Sequence, residues 1–469
     1  MGAGVVVVGA DTGSDRHLQI RVESHDETAV ITEIAENLDS GGAPVVDAGG
    51  RAVLPGFSDH HLHLFALAVA DASVRCGPPA VADAGQLGAA LRAARPDGVG
   101  WIRGTGYVES VSGDLTAKRI DALESARPVR IQHRSGAMWM LNSRAVAQCG
   151  LAAARHPGIE RDDAGYPTGR VWRADDWLRE RLPDTGFPAL TGVGDRLRQL
   201  GIVEVTDATP DLDDRAVAAV VDAVDRGEIS GRVQLLGAGS EVRIDHPRIT
   251  VGPVKIVIGD SSLPGLDELA HAVAASHDAG RAVAVHCVSR VALALLLAAF
   301  DIAGTRRGDR IEHGGMIPAD AVADLARRGL TVVTQPGFLA DRGDDFLAGT
   351  APADHDDLYR CGSLIDAGVP VALSSDAPYG PLNPWTTIAA AVDRRTASGR
   401  RVGASAERIT VAQALARHRT PIGAPAGAAR RIAVGQPGDL IVADRPYAAV
   451  LDDPGSVSVT IRVIGGRVC

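Results

Sequence analysis

Apolar and polar positions follow two rhythms along the chain. Between about residues 4 and 52, the runs Val5 to Val8, Leu18 to Val22 and Ala29 to Ile34 are apolar or alternating, with Gly, Asp and Ser between them. That is the pattern of short β-strands joined by turns. Gly438 to Asp444 and Val457 to Val463 repeat it near the other end. In between, short apolar runs that end in a polar residue alternate with longer stretches of helical period. The strand candidates are Ile202 to Asp207, Val254 to Ile258, Ala282 to His286, Arg310 to His313, Thr331 to Gln335 and Val371 to Asp376. Helical candidates are Leu266 to Ala279, Val291 to Ala299 and Ala319 to Arg328. Gly280 and Gly329, which follow the first and last of these, suit helix C-termini. Strands alternating with helices predict a parallel sheet with crossover helices.

The polar strand ends carry the candidate chemistry. In Leu54-Pro55-Gly56-Phe57-Ser58-Asp59-His60-His61-Leu62-His63-Leu64 two histidines stand two residues apart. On an extended strand His61 and His63 share a face and His60 takes the other. Alone, His-x-His is a weak metal signal. Further candidates are His286, His313 and Asp376, each at the end of an apolar strand, and Lys255 within one. Each has a plainer alternative. The histidines could be hydrogen-bonded core residues, and Asp376 a helix N-cap. Lys255 could pair with Asp260 or Asp207, or extend its stem to reach solvent. Spacing favours a shared site. Lys255, His286 and His313 follow one another at about 30 residues, one βα unit of an eight-stranded barrel, and Asp376 comes two such units later. The first half is longer than this register allows, by about a hundred residues between His61 and Lys255. Trp101 to Tyr107 and Pro128 to His133 are both strand-like and leave one strand too many. An insertion at about residues 71–184 is therefore expected.

Pro55-Gly56-Phe57-Ser58-Asp59-His60-His61-Leu62-His63 resembles the first-strand signature of the amidohydrolase superfamily. Arg310-Ile311-Glu312-His313-Gly314 resembles its sixth-strand motif, and Ser375-Asp376-Ala377-Pro378 its eighth. From about Val45 onward the chain resembles the metal-dependent branch that includes the N-substituted formamide deformylases. The resemblance implies a (β/α)8 TIM barrel with a small β-sandwich formed from both chain termini. The domains would be residues 1–52 and 433–469 for the sandwich and 53–432 for the barrel. It implies His61, His63, Lys255, His286, His313 and Asp376 as metal ligands, with Lys255 carboxylated so that its carbamate bridges two ions. One or two divalent ions are expected, zinc first, with iron, manganese or nickel as alternatives. Asp376 would also move the proton of the attacking water. Tyr107, Gln335 and Trp385 lie in further segments similar to that branch and are candidate substrate contacts. Two departures are Ala137, where relatives often have His, and Ser289-Arg290, where they often have Gly-Asp.

Composition narrows the partners. A net charge of −10 argues against nucleic acid, and no apolar run reaches membrane-spanning length. Five scattered cysteines without Cys-x-x-Cys argue against a disulfide framework or thiolate zinc site. The expectation is a cytoplasmic enzyme, paired as a homodimer, acting on a small molecule. The leading activity is hydrolysis of an amide, formamide or cyclic amide. A hydrolytic deaminase on the same barrel is the rival, and a non-catalytic regulatory relative the third reading. Lys255 weighs against the deaminase, and the full ligand set against the regulator.

Overall fold

The computed structural model describes residues 4–25, 28–184, 186–239, 241–260 and 263–469. Two compact units make up the chain: Met1–Leu64 with Ala189–Cys469, and Phe65–Pro188.

The larger unit holds two parallel sheets. In one, Phe57–Leu62 pairs with Ile202–Asp207, which pairs with Arg232–Leu235 and that with Ile249–Val251. In the other, Val254–Val257, Val283–Cys287, Arg310–His313, Thr331–Thr334 and Val371–Leu373 lie side by side in chain order. Backbone hydrogen bonds link them at both ends. The Lys255 N–H donates to the Leu236 carbonyl at 3.2 Å, and the Asp376 N–H to the His61 carbonyl at 2.8 Å. Arg310–His313 and Thr331–Thr334 are buried at every residue, as strands covered on both faces must be. The arrangement is α/β and TIM-barrel-like. Its helices follow their strands with one apolar face inward. On Arg290–Ala303 that face is Leu293, Leu296 and Phe300. Ala319–Arg328 opens with Asp320, closes with Arg327 and Arg328, and ends at Gly329, φ +66°. Charges so placed complement the helix dipole.

Two four-stranded sheets complete this unit. One comprises Thr28–Ala35, Leu18–His25, Gly4–Ala10 and Val45–Asp47; the other comprises Arg467–Val468, Val459–Ile464, Leu440–Ala443 and Val53–Pro55. Val5, Ile20, Val22 and Ile31 from the first share one core with Val53, Leu440, Val442 and Val463 from the second.

The smaller unit is built on a six-stranded mixed sheet. Its order is Ile159–Arg161, Pro167–Trp172, Met138–Leu141, Val129–His133, Ile102–Tyr107 and Val74–Arg75. Both strand-like runs that overfilled the barrel register, Trp101 to Tyr107 and Pro128 to His133, therefore lie in this sheet. The parallel series passes from Phe57–Leu62 directly to Ile202–Asp207.

Candidate metal centre

The strand that carries the paired histidines starts in a tight space. A Cβ on Gly56 would stand 2.7 Å from the Val203 side chain, while the Phe57 N–H donates to the Gly201 carbonyl at 2.8 Å. Glycine lets the strand begin flush against its neighbour. At the strand's far end His61 and His63 turn the same way, with ring centroids 5.4 Å apart. His60 turns away, its Nε2 on the Thr420 hydroxyl at 2.9 Å.

Asp376 meets the pair. Its Oδ1 lies 3.2 Å from His63 Nε2 and 3.5 Å from His61 Nε2. One ligand atom from each of the three residues falls within 4.8 Å of the others. His313 joins them, its ring 4.7 Å from His61 and 4.5 Å from His286, its Nδ1 3.8 Å from Asp376 Oδ2. Lys255 is buried, and its charge acts on His61, His286 and Asp376. Its Nζ has no hydrogen-bond partner among the described residues. The carboxylates considered as its partners are engaged elsewhere. Asp260 accepts from the Ser289 hydroxyl, and Asp207 from the Leu64 and Thr209 N–H groups at 2.7 and 2.9 Å.

Burial holds His61 and His313 well below the usual imidazole pKa and lowers that of His286 too. They stay neutral and keep a lone pair, the form that ligates cations. Burial works to raise the pKa of Asp376, but the facing His313 and His63 and the Lys255 ammonium outweigh it, and the carboxyl is held down. Glu312 is likewise held down, against burial, chiefly by Arg310 and Lys255. Burial brings Lys255 to about 8, with Glu312 and Asp376 acting in the opposite sense.

Unpartnered atoms provide the test of fit. His61 Nε2, Asp376 Oδ1 and Lys255 Nζ are all buried without a hydrogen bond, which is rare and calls for an explanation. A divalent cation between the first two would satisfy both. Imidazole nitrogens and a carboxylate oxygen are the donors that such ions take. Backbone strain marks the same place. His313 has φ +72° and Asp376 φ +54°, a region that non-glycine residues seldom enter away from functional sites. Neighbours on a regular strand point to opposite faces. With His313 turned left-handed, both it and Glu312 reach His61: Glu312 Oε2 bonds to His61 Nδ1, and the His313 ring lies beside the His61 ring.

Glu312 and its partner Arg310 were not singled out from the sequence. Their signal was Arg-x-Glu on one face of a buried strand, two charges where only apolar residues belong. Tyr379 was missed as well; it is half exposed, its ring edge-on to His63 at 5.6 Å.

The three candidate substrate residues are all buried. Gln335 is fully buried. Its amide oxygen is 2.9 Å from His313 Nδ1, and its amide nitrogen donates to the Ser374 hydroxyl at 2.9 Å. It holds the His313 ring. Trp385 is a core residue, its ring edge-on to Phe57 at 5.2 Å. Phe57 begins the strand Phe57–Leu62, and His61 near its other end is roughly 13 Å away for an extended segment, so Trp385 packs at the opposite end from the histidines. Tyr107 is buried within the smaller unit, donates to the Gly113 carbonyl at 2.6 Å, and is pushed up to about 12 by burial. Ser289, one of the two departures, caps the helix Arg290–Ala303 by accepting from the Ala292 N–H. Arg290 is paired with Asp354 and Asp357.

A parallel, TIM-barrel-like α/β scaffold with imidazoles and a carboxylate gathered at its strand ends defines a class, that of α/β proteins with a candidate metal centre at the mouth of the sheet. The sequence pattern of the Amidohydrolase family matches residues 44–468, and the chain belongs to that family. It is a hydrolytic enzyme acting on carbon–nitrogen bonds other than peptide bonds. The N-substituted formamide deformylase of Arthrobacter pascens is 27% identical over 421 residues, 76% of each chain. The putative amidohydrolase YtcJ of Bacillus subtilis (strain 168) is 22% identical over 425 residues, 79% of this chain and 78% of its own. The crystal structure of an uncharacterized metal-dependent hydrolase from Pyrococcus furiosus superposes with a TM-score of 0.73. It covers 97% of this chain and 100% of its own at 20% identity, and so shares the fold.

Proposed function

We propose that this enzyme hydrolyses an amide, formamide or cyclic-amide bond of a small molecule, using one or two divalent metal ions, zinc foremost. His61, His63 and Asp376 would hold the first ion, and His286 and His313 a second. Lys255, as a carbamate, would bridge them. The observation that carries this reading is the convergence of His61, His63 and Asp376 donor atoms within 4.8 Å, two of them buried and unpartnered. Burial, which lowers the Lys255 pKa to about 8, supports the lysine's part. CO2 adds only to the neutral amine, and a buried ammonium without a partner is unfavourable.

When bound, the metal supplies Lewis acidity towards the carbonyl oxygen and lowers the pKa of the attacking water. Asp376, kept ionised by its neighbours, accepts that water's proton and passes it to the leaving nitrogen. Water adds across the C–N bond, giving a carboxylic acid and an amine. Tyr379, half exposed beside His63, is placed to touch the substrate's substituent. In the architecture we propose, the two parallel sheets are halves of one (β/α)8 barrel, with Ile249–Val251 and Val254–Val257 counted as one interrupted strand, and the sheets from both termini are a β-sandwich. The insertion, expected at about residues 71–184, would be the compact unit Phe65–Pro188.

A panel of N-substituted formamides, linear amides and cyclic amides, assayed with metal-depleted and zinc-restored enzyme, tests the reading. Release of amine from at least one group, abolished by depletion and restored by zinc, is expected. Turnover that ignores depletion would overturn it, as would release of ammonia from aminated heterocycles in place of amide cleavage.

A further inference from the structure

We infer that Glu312, braced by Arg310, is a positioning residue for His61 that fixes which ring nitrogen faces the metal pocket and so sets how tightly that position binds metal. The inference rests on the reading of His61 as a ligand. Its geometry is independent of Lys255 and of the number of ions.

Glu312 is fully buried and Arg310 nearly so. The guanidinium binds the carboxylate through Nε and also through Nη2, the latter 3.2 Å from Oε2. Nη2 also donates to the His60 carbonyl at 2.7 Å. A carboxylate paired with arginine can only accept hydrogen bonds. The proton in its contact with His61 therefore sits on Nδ1, and Nε2 is left with the lone pair. That Nε2 is the unpartnered atom 3.5 Å from Asp376. One ion pair thus grips both the ring of His61 and the backbone beside it.

The other histidines are held by neutral groups. His313 Nδ1 meets the Gln335 amide at 2.9 Å, and His63 Nδ1 the Thr209 hydroxyl at 3.3 Å. Among these three, His61 is the one whose Nδ1 is hydrogen-bonded to an anion, which makes its imidazole the more electron-rich donor. A role in stability alone is a poor account of the pair. Two charges taken out of water gain little net stability, and apolar replacements of similar volume are often as stable.

The paired variant Arg310→Met with Glu312→Leu tests this, because it leaves neither charge stranded. Zinc affinity is read by competition with a fluorescent chelator, the Co(II) derivative by its visible spectrum, and folding by melting of the metal-free protein. The expected result is an unchanged metal-free melting temperature, about 10–100-fold weaker zinc binding and an altered cobalt spectrum. Affinity and spectrum matching the wild type would overturn the inference while leaving the metal reading intact. A wild type that binds no zinc would instead overturn the metal reading. Should the paired variant not fold, nitrogen-15 spectra of metal-free wild type decide, with His61 assigned by its loss in His61→Gln. The Nδ1–H tautomer is expected, and the Nε2–H tautomer at His61 would refute the inference.

Discussion

Asp376 answers to three neighbours at once: two imidazole nitrogens at 3.2 and 3.5 Å and the His313 ring on its other oxygen. A carboxylate so placed can share a cation and still exchange a proton with water. Asp376→Asn keeps the shape and removes the base, so kcat should fall by about 10²–10⁴-fold in the same amide assay, with the fold intact by circular dichroism. Lys255 makes a separate prediction. Supplied with carbon-13 bicarbonate, the wild type should show a carbamate carbon resonance that Lys255→Arg lacks; no such resonance in the wild type would remove the carbamate. At this scale the sequence made much of the site legible. His61 and His63 share a face because strand geometry requires it, and His60 leaves by the same rule. Glu312 escaped notice because alternation places it opposite His313. The left-handed turn at His313 that brings the two together has no signature in the residue type.

Strands and helices were legible where periodicity was strong. Ala319–Arg328 stands where its apolar period and Gly329 place it. Replacing Gly329 by alanine forces a side chain into φ +66° and should cost about 1 kcal/mol of stability in urea unfolding, with kcat unchanged. Trp385, a candidate through the resemblance of its segment, is buried against Phe57, and aromatic residues beside a helix start read alike whether they face a pocket or a core. A titration also belongs to this scale. His418 ends the helix Val411–Arg417, is buried beside Phe57, and is drawn by burial from 6.5 to about 4. Between these values the unfolded chain binds a proton that the folded chain does not. This contribution is therefore intact above pH 6.5 and is lost as pH falls towards 4. Chemical denaturation at pH 7 and pH 4 should show the wild type losing up to about 3 kcal/mol more than His418→Gln. An equal loss in both would place the acid sensitivity elsewhere.

At the scale of the whole molecule, chain length hid what spacing revealed. From Lys255 to Asp376 the strand ends follow a barrel register, so the order of candidate ligands could be read without any contact being known. Before Lys255 that register breaks, since Phe65–Pro188 forms its own sheet and core. Single-sequence periodicity cannot tell a strand of one sheet from a strand of another. Ligand binding couples the site to the stability of the larger unit. An ion held at 100 times its dissociation constant stabilises the folded state by about 2.7 kcal/mol, so chelation should lower the melting temperature and zinc should restore it. The most direct measurement is metal content after exhaustive dialysis, by mass spectrometry of the intact enzyme and of His61→Asn with Asp376→Asn. One or two divalent ions per wild-type chain, and a loss of at least one in the double variant, are predicted. A metal-free wild type that still hydrolyses its substrate, or a double variant that keeps its full complement, would contradict the account.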